Sequence, residues 1–471
     1  MKKTKIIATL SEIRSNEEFL KELFENGVNV VRINTAHQDI EGAGNLINRV
    51  RSVNNKIAIL FDTKGPEVRT ARKGEMLIEK GDIVKIIGNF DLEIGQGIIP
   101  VSFSELYQHV KVDDLILIDD GEIELKVIDV LDEVIHCVVV VGGEVKPKKG
   151  VNIPNVELPL PAISDKDREF IQFAIEKKIA FIAHSFVQRA SDVLQIREIL
   201  DRHNSKIKII SKIENRAGVD NIDSIIAVSD GIMVARGDLG IEIPGEKIPV
   251  IQQNIVKKCI KAKIPVIIAT QMLHSMISNH RPTRAEISDV ATAVFERADA
   301  LMLSGETAYG KYPIEAVKVM TKVAIEVEAE LDHLPFEEDE DVDTMTSTLC
   351  KAAIMTTSIH KIKNIVADTT SGRTCRYLSA LRGRNHIYAM CYDETVMRQL
   401  NLSYGVIAHK IESTRSHDRF LRSAISMIID RQEIKSKEKV LIIGGSFGRA
   451  HGVTFIEIAS PDLILSEKCR G

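Results

Sequence analysis

Four pairs of polar residues spaced i, i+2 close apolar runs in this chain: Arg32 and Asn34, Lys212 and Glu214, Arg236 and Asp238, Ser304 and Glu306. Side chains alternate across an extended strand with period two, so both members of each pair are expected on one side. Asp62 and Thr270 end two further runs. Glu214 and Asp238 offer two hard oxygen ligands, which suits Mg2+ or Mn2+ with water or substrate in the remaining positions. Lys212 and Arg32 beside such an ion would stabilise a transferring phosphoryl group by charge. The chain has no G-x-x-x-x-G-K-[ST], so a P-loop is not how phosphate is held. One charged residue at a strand end is ordinarily a surface ion pair. Six ends carrying polar groups toward one mouth make that explanation inadequate.

The elements that must position these groups follow from the hydrophobic rhythm. Ile- and Val-rich runs at 4–10, 29–35 and 57–63 alternate with helical stretches at 16–25 and 40–53. Nearly continuous apolar runs mark parallel strands buried on both faces, and parallel strands need crossover helices. From 67 to 157 the runs become short and are divided by Gly, Asp and Pro, the pattern of an all-β insertion. The alternation resumes at Ser164 and brings the total outside the insertion to eight strand-helix pairs, enough to close a (β/α)8 barrel with its chemistry at the strand C-termini. The expected fold class is α/β. A (β/α)8 barrel spans 1–66 and 158–331, with an all-β lid domain at 67–157 inserted after the third strand. A C-terminal open-sheet α/β domain spans 342–471, after an acidic run at 337–341 that reads as a solvated linker.

Composition narrows the functional class. The 471 residues are 44% hydrophobic and 27% charged, which fits a globular chain of about three domains. A net charge of -5, 4% aromatics and no Trp argue against nucleic acid as a partner. No apolar run approaches the roughly 18–20 residues that span a bilayer, and the apolar stretch after the first lysines is cut off by Ser11, Glu12 and Arg14. Six scattered cysteines without a C-x-x-C pair read as reduced thiols, so a cytoplasmic protein without a membrane partner is expected.

At the same residues the sequence resembles pyruvate kinase. The resemblance runs in order through 4–9 (TKIIAT), 29–34 (NVVRIN), 62–69 (DTKGPEVR), 210–215 (ISKIEN), 233–240 (MVARGDLG), 269–273 (ATQML), 282–286 (PTRAE) and 302–308 (MLSGETA). It implies phosphoryl transfer from phosphoenolpyruvate to ADP, giving pyruvate and ATP. Position by position it implies that Glu214 and Asp238 hold Mg2+ or Mn2+ and that Lys212 neutralises the phosphoryl group. Arg32 and Arg69 would hold phosphate, and Gly237, Asp238 and Thr270 the substrate carboxylate. Thr270, Ser304 and Glu306 would form a proton path, Arg69 and His37 would touch the nucleotide, and Asn34, Asp62 and Thr63 would ligate K+. It further implies a homotetramer and a phosphorylated-metabolite effector.

Two stretches depart from the family pattern. Ser11-Glu12 stands where Gly-Pro is usual, and Asn34-Thr35-Ala36-His37-Gln38 where Asn-Phe-Ser-His-Gly is usual. Ala36 cannot ligate a cation, and Thr35, one residue along the strand, is expected to face the other way. In the C-terminal part, Thr369, Thr370, Ser371, Gly372, Arg373 and Thr374 lie between a strand and a helix. Hydroxyls, a Gly and helix N-terminal N–H groups suit an effector phosphate, and they suit an ordinary N-capped helix start as well. A metal-dependent lyase on an enolpyruvate skeleton would share the metal and carboxylate groups without needing Lys212, Arg69 and the lid together, and a non-catalytic barrel serving as a sugar-phosphate sensor or scaffold draws support only from Ser11-Glu12 and Ala36.

Overall fold

The computed structural model describes residues 1–331, 344–414, 416–445 and 452–466. Eight parallel strands close into a barrel: Lys5–Leu10, Val30–Asn34, Ala58–Asp62, Phe181–His184, Lys208–Ile213, Gly231–Ala235, Val266–Ala269 and Ala300–Leu303, numbered one to eight below. Inward-facing Ile7, Val30, Leu60, Ile210, Met233 and Ile267 fill the interior, and Leu402 from the C-terminal part packs into the same cluster. The alternate residues face the helices. Those helices start where the sequence supplies acceptors for their free N–H groups: Asp39 caps Ile40–Val53, and Ser164 with Asp167 and Thr283 with Glu286 form capping boxes.

Strands six and eight stop before the polar residues expected to close them. Strand six stops at Ala235 and Arg236–Glu242 is a helix; strand eight stops at Leu303 and Gly305–Ala308 is a helical turn. The expected period-two pairing of Arg236 with Asp238 and of Ser304 with Glu306 therefore does not hold, because successive helical side chains diverge by about 100°.

Between strands three and four, seven strands form one sheet and two more a ribbon, around an apolar core of their own that includes Val84, Ile116, Leu125 and Ile135. The C-terminal part is a five-stranded sheet in the order Val406–Lys410, His386–Cys391, Asn364–Thr369, Val440–Gly444, Phe455–Ala459, parallel except for the last strand. Of its two edge strands, the first ends in His409 and Lys410 and the last is interrupted by Glu457. Arg382 joins this part to the barrel through a buried two-point pair with Asp299, at 3.1 and 2.5 Å. Cys137, Cys259, Cys350, Cys375 and Cys391 are free and buried. No described helix is long and apolar enough to cross a membrane. The acidic run at 337–341, Cys469 and the loop residues 446–449 lie outside the described residues.

Candidate active site

Strand five delivers Lys212 into the barrel mouth, where its ammonium is 3.0 Å from Asp62 Oδ1 and 3.0 Å from Glu214 Oε1. A third proton goes to Ser185 Oγ at 2.7 Å. Burial alone would lower the pKa of this amine, but the Asp62 and Glu214 carboxylates overturn that and hold it above its ordinary value. Asp62, 1% exposed, also accepts from Arg32 Nε at 2.6 Å. Burial would raise its pKa, and the two cations hold it below the usual carboxylate range. Arg32 is steadied from strand one by Thr9 Oγ1 at 3.1 Å. Strands one, two, three and five thus hold two cations side by side against one carboxylate, and the Lys212–Glu214 contact fits the i, i+2 spacing on strand five.

Glu214 and Asp238 show the opposite electrostatics. Burial is the main cause that pushes Glu214 up to about 7, with Asp238 and Asp62 adding to it against the pull of Lys212. Asp238 is also raised, chiefly by burial, and hydrogen-bonds Glu214. Two adjacent buried carboxylates that share a hydrogen bond are a donor set for a cation, since a divalent ion would remove the repulsion that a proton now relieves. Among the described residues no group of three or more His, Cys, Asp or Glu is arranged to hold a metal. The pair fits an ion such as Mg2+, which keeps several positions for water and substrate. Glu214 Oε2 is aimed by the Phe186 N–H at 2.7 Å.

Strands six, seven and eight end in strained or helical backbone. Thr270 has φ 68° and Gln271 φ 53°, a conformation that a β-branched residue adopts only under constraint. The constraint is visible: Thr270 Oγ1 accepts from the Gly237 N–H at 2.7 Å, and its carbonyl accepts from Arg236 at 2.8 Å. Arg236 does not face the mouth; it pairs two-point with Asp289 at 2.6 and 2.7 Å. Glu306, 2% exposed, accepts from the Leu273 N–H at 3.1 Å and the Ser304 N–H at 2.8 Å. It braces the loops after strands seven and eight.

The inserted sheet faces this mouth across a cavity of about 290 Å3 whose walls include Arg69, Asp119, Lys149, Asn215, Asp238 and Glu242. Arg69 is held by Glu67, with Nε at 2.7 Å, and by the Lys148 carbonyl at 2.7 Å. Asp119, Asp120 and Gly121 all have positive φ, so this stretch is a tight turn, and Asp119 pairs with Lys149 at 2.9 Å. Arg69 and Lys149 of the inserted sheet, each paired with a carboxylate of that sheet's own segment, line this cavity together with Asp238 and Glu242 of the barrel.

A family model described as pyruvate kinase, barrel domain, matches residues 1–317, and one described as pyruvate kinase, alpha/beta domain, matches 347–459. The chain belongs to the pyruvate kinase family. It is 42% identical to the pyruvate kinase of Borreliella burgdorferi over 464 residues, which cover 97% of each protein. It is 42% identical to that of Bacillus licheniformis over 97% of this chain and 80% of that one. A crystal structure of a pyruvate kinase from Cryptosporidium parvum superposes with a TM-score of 0.91 at 34% identity, covering 98% of this chain and 96% of the other.

The departures from the pyruvate kinase pattern cluster. Thr35–His37 forms a 3-10 turn instead of continuing strand two, and the Thr35 hydroxyl donates to the Asp62 carbonyl at 2.9 Å. The expectation that Thr35 faces the opposite way from Ala36 as part of an extended strand is corrected, since the strand ends at Asn34. Asn34 Oδ1 accepts from the Ala36 N–H at 3.1 Å, and the Thr63 carbonyl accepts from Ser185 at 2.7 Å. His37 is exposed at the end of the turn. An ideal Cβ on Gly42 would lie 2.9 Å from Gln38 Oε1 and would collide with the Glu12 carboxylate, so two of the unusual residues pack over one helix N-terminus. In the C-terminal sheet, Thr369 Oγ1 accepts from the Gly372 N–H at 2.9 Å, Gly372 has φ 80°, and Arg373 stacks on Tyr377 at 5.2 Å.

Sequence reasoning missed Ser185, Phe186 and Lys149. Strands one and four were the barrel strands whose C-terminal ends were assigned no chemistry, and a uniform inspection of all eight ends would have reached Ser185.

Proposed function

We propose that this chain transfers the phosphoryl group of phosphoenolpyruvate to ADP, producing pyruvate and ATP as a step of cytoplasmic glycolysis. The observation that carries the reading is the buried Lys212 ammonium, held among Asp62, Glu214 and Ser185 beside the Glu214–Asp238 pair. Lys212 and Arg32 meet the phosphoryl oxygens and stabilise the charge they carry in transfer. The backbone at Gly237 and Asp238, with Thr270, receives the substrate carboxylate. Thr270, Ser304 and Glu306 pass the proton that the enolate carbon takes up, and Glu306 also keeps their loops in register. Glu214 and Asp238 hold Mg2+ or Mn2+, which supplies positive charge to the phosphoryl oxygens when bound. Asn34, Asp62 and Thr63 would hold K+, with no side-chain oxygen from Ala36 to complete the set.

Arg69, with His37, contacts the nucleotide. The inserted sheet at 67–157 acts as a lid that excludes water, whose attack would waste the phosphoryl group. We assign the domains as 1–66 with 158–331, 67–157, and 342–471; separate apolar cores support the division. A homotetramer and a phosphorylated-metabolite effector at 369–374 complete the reading. A lactate-dehydrogenase-coupled assay with phosphoenolpyruvate, ADP, Mg2+ and K+ tests it: steady NADH loss is expected, and none in any combination of these components would overturn it.

A further inference from the structure

The third acceptor on Lys212 belongs to a residue whose role neither motif nor spacing assigns. Ser185 follows strand four, is 2% exposed, and receives a proton from Lys212 Nζ at 2.7 Å. Its own hydroxyl has one proton to give. The Thr63 carbonyl lies at 2.7 Å and Asp62 Oδ1 at 3.3 Å, so the carbonyl is the better acceptor. The Ser185 N–H donates in turn to Thr63 Oγ1 at 3.0 Å, which pins the backbone beneath the hydroxyl. With its proton committed to Thr63, Ser185 presents a lone pair to Lys212.

We propose that Ser185 is a positioning residue for phosphoryl transfer, one that fixes the direction of the Lys212 ammonium. The argument rests on the functional reading above. A lysine side chain ends in a flexible stem, and a point charge is useful in a transition state only where it is already aimed. The other two acceptors cannot do this alone. Asp62 is shared with Arg32, and Glu214 belongs to the pair that fits a metal. When Glu214 turns to a cation, one ammonium proton is released toward the phosphoryl oxygen while Asp62 and Ser185 keep hold of the others. A hydroxyl suits this task because it orients the ammonium without cancelling its charge. A third carboxylate there would neutralise the charge the reaction uses.

The test is Ser185→Ala in the full-length protein, assayed beside wild type, Lys212→Met and the double variant. For Ser185→Ala, kcat is expected to fall about tenfold or more, the scale of one hydrogen bond to a charged group. KM for phosphoenolpyruvate should stay within about twofold, because the contact is used in the transition state. In the Lys212→Met background, Ser185→Ala should cost nothing further, since its effect runs through the ammonium. A merely structural serine would cost the same in both backgrounds, and that result would overturn the proposal. If Ser185→Ala does not fold, Ser185→Cys, with a weak sulfur acceptor, carries the same expectations. An inactive wild type overturns the functional reading and this inference with it. An active wild type whose Ser185→Ala variant keeps its kcat overturns this inference alone.

Discussion

Lys212→Met should cost both rate and stability, and the two losses should respond differently to Mg2+. An ammonium about 4 Å from one unit of charge contributes ~4 kcal/mol at an effective dielectric near 20. Only the part that grows between bound substrate and transition state reaches kcat, and about two thirds of it is already a hundredfold at about 1.4 kcal/mol per decade. A fall in kcat of at least about a hundredfold, with KM for phosphoenolpyruvate little changed, is expected in the coupled assay. In the resting protein the ammonium also compensates two carboxylates at 3.0 Å. Stranding a buried charge costs about 3–5 kcal/mol, but Asp62 keeps Arg32 at 2.6 Å and Glu214 can take up a proton, so the lower end applies. The first thermal transition should drop by several degrees, at about 2–4 °C per kcal/mol. Saturating Mg2+ should recover part of the melting temperature, by restoring positive charge beside Glu214, and none of the rate. A variant that keeps most of its kcat, or one whose melting temperature is unchanged, would refute the role assigned to this residue.

Glu214→Gln and Asp238→Asn should each raise the Mg2+ midpoint sharply with the fold intact; unchanged midpoints in both would place the ion elsewhere. With no ion bound Glu214 is pushed up to about 7, so below about pH 7 Mg2+ must displace a proton and its affinity should fall, which calorimetry in buffers of different ionisation enthalpy measures as proton release. Ala36→Ser should lower the K+ midpoint in tetramethylammonium buffer, because it adds an oxygen beside Asn34 where the native side chain is a methyl; full wild-type activity without K+ would show the site to be dispensable. Arg373→Glu should abolish activation by sugar phosphates or nucleotides while leaving the saturated rate alone, and if no phosphorylated metabolite shifts the wild-type substrate midpoint, residues 369–374 are a helix start only.

The barrel was legible because parallel strands buried on both faces leave long apolar runs, and because strands two and five stay extended through their chemical residues, so period two aligns Lys212 with Glu214. The same rule failed at strands six and eight. There Arg236 and Glu306 are recruited by partners distant in sequence, Asp289 at 2.6 Å and the Leu273 N–H at 3.1 Å, and tertiary hydrogen bonds of that kind leave no local periodicity. Thr270 was found as a residue type, but not its φ of 68°, since nothing in ATQML announces a left-handed threonine. Ser185 was overlooked for the reverse reason: a lone serine after an apolar strand is unremarkable until three hydrogen bonds are seen to converge on it.

The charges at the mouth also bear on the order in which ligands arrive. Arg32 and Lys212 face Asp62 and Glu214, and burial raises the pKa of both Glu214 and the neighbouring Asp238. With one proton on the carboxylate pair these five side chains sum to zero charge and would attract an anionic substrate weakly. Exchanging the proton for a divalent ion leaves the same five side chains with one net positive charge in a cavity walled by low-dielectric protein, where that charge acts at longer reach than in water. Phosphoenolpyruvate should therefore bind more tightly to the metal-loaded protein, and by linkage its presence should tighten the ion by the same factor. If Glu214 and Asp238 hold the ion, their burial also makes the mouth's affinity for phosphate conditional on it.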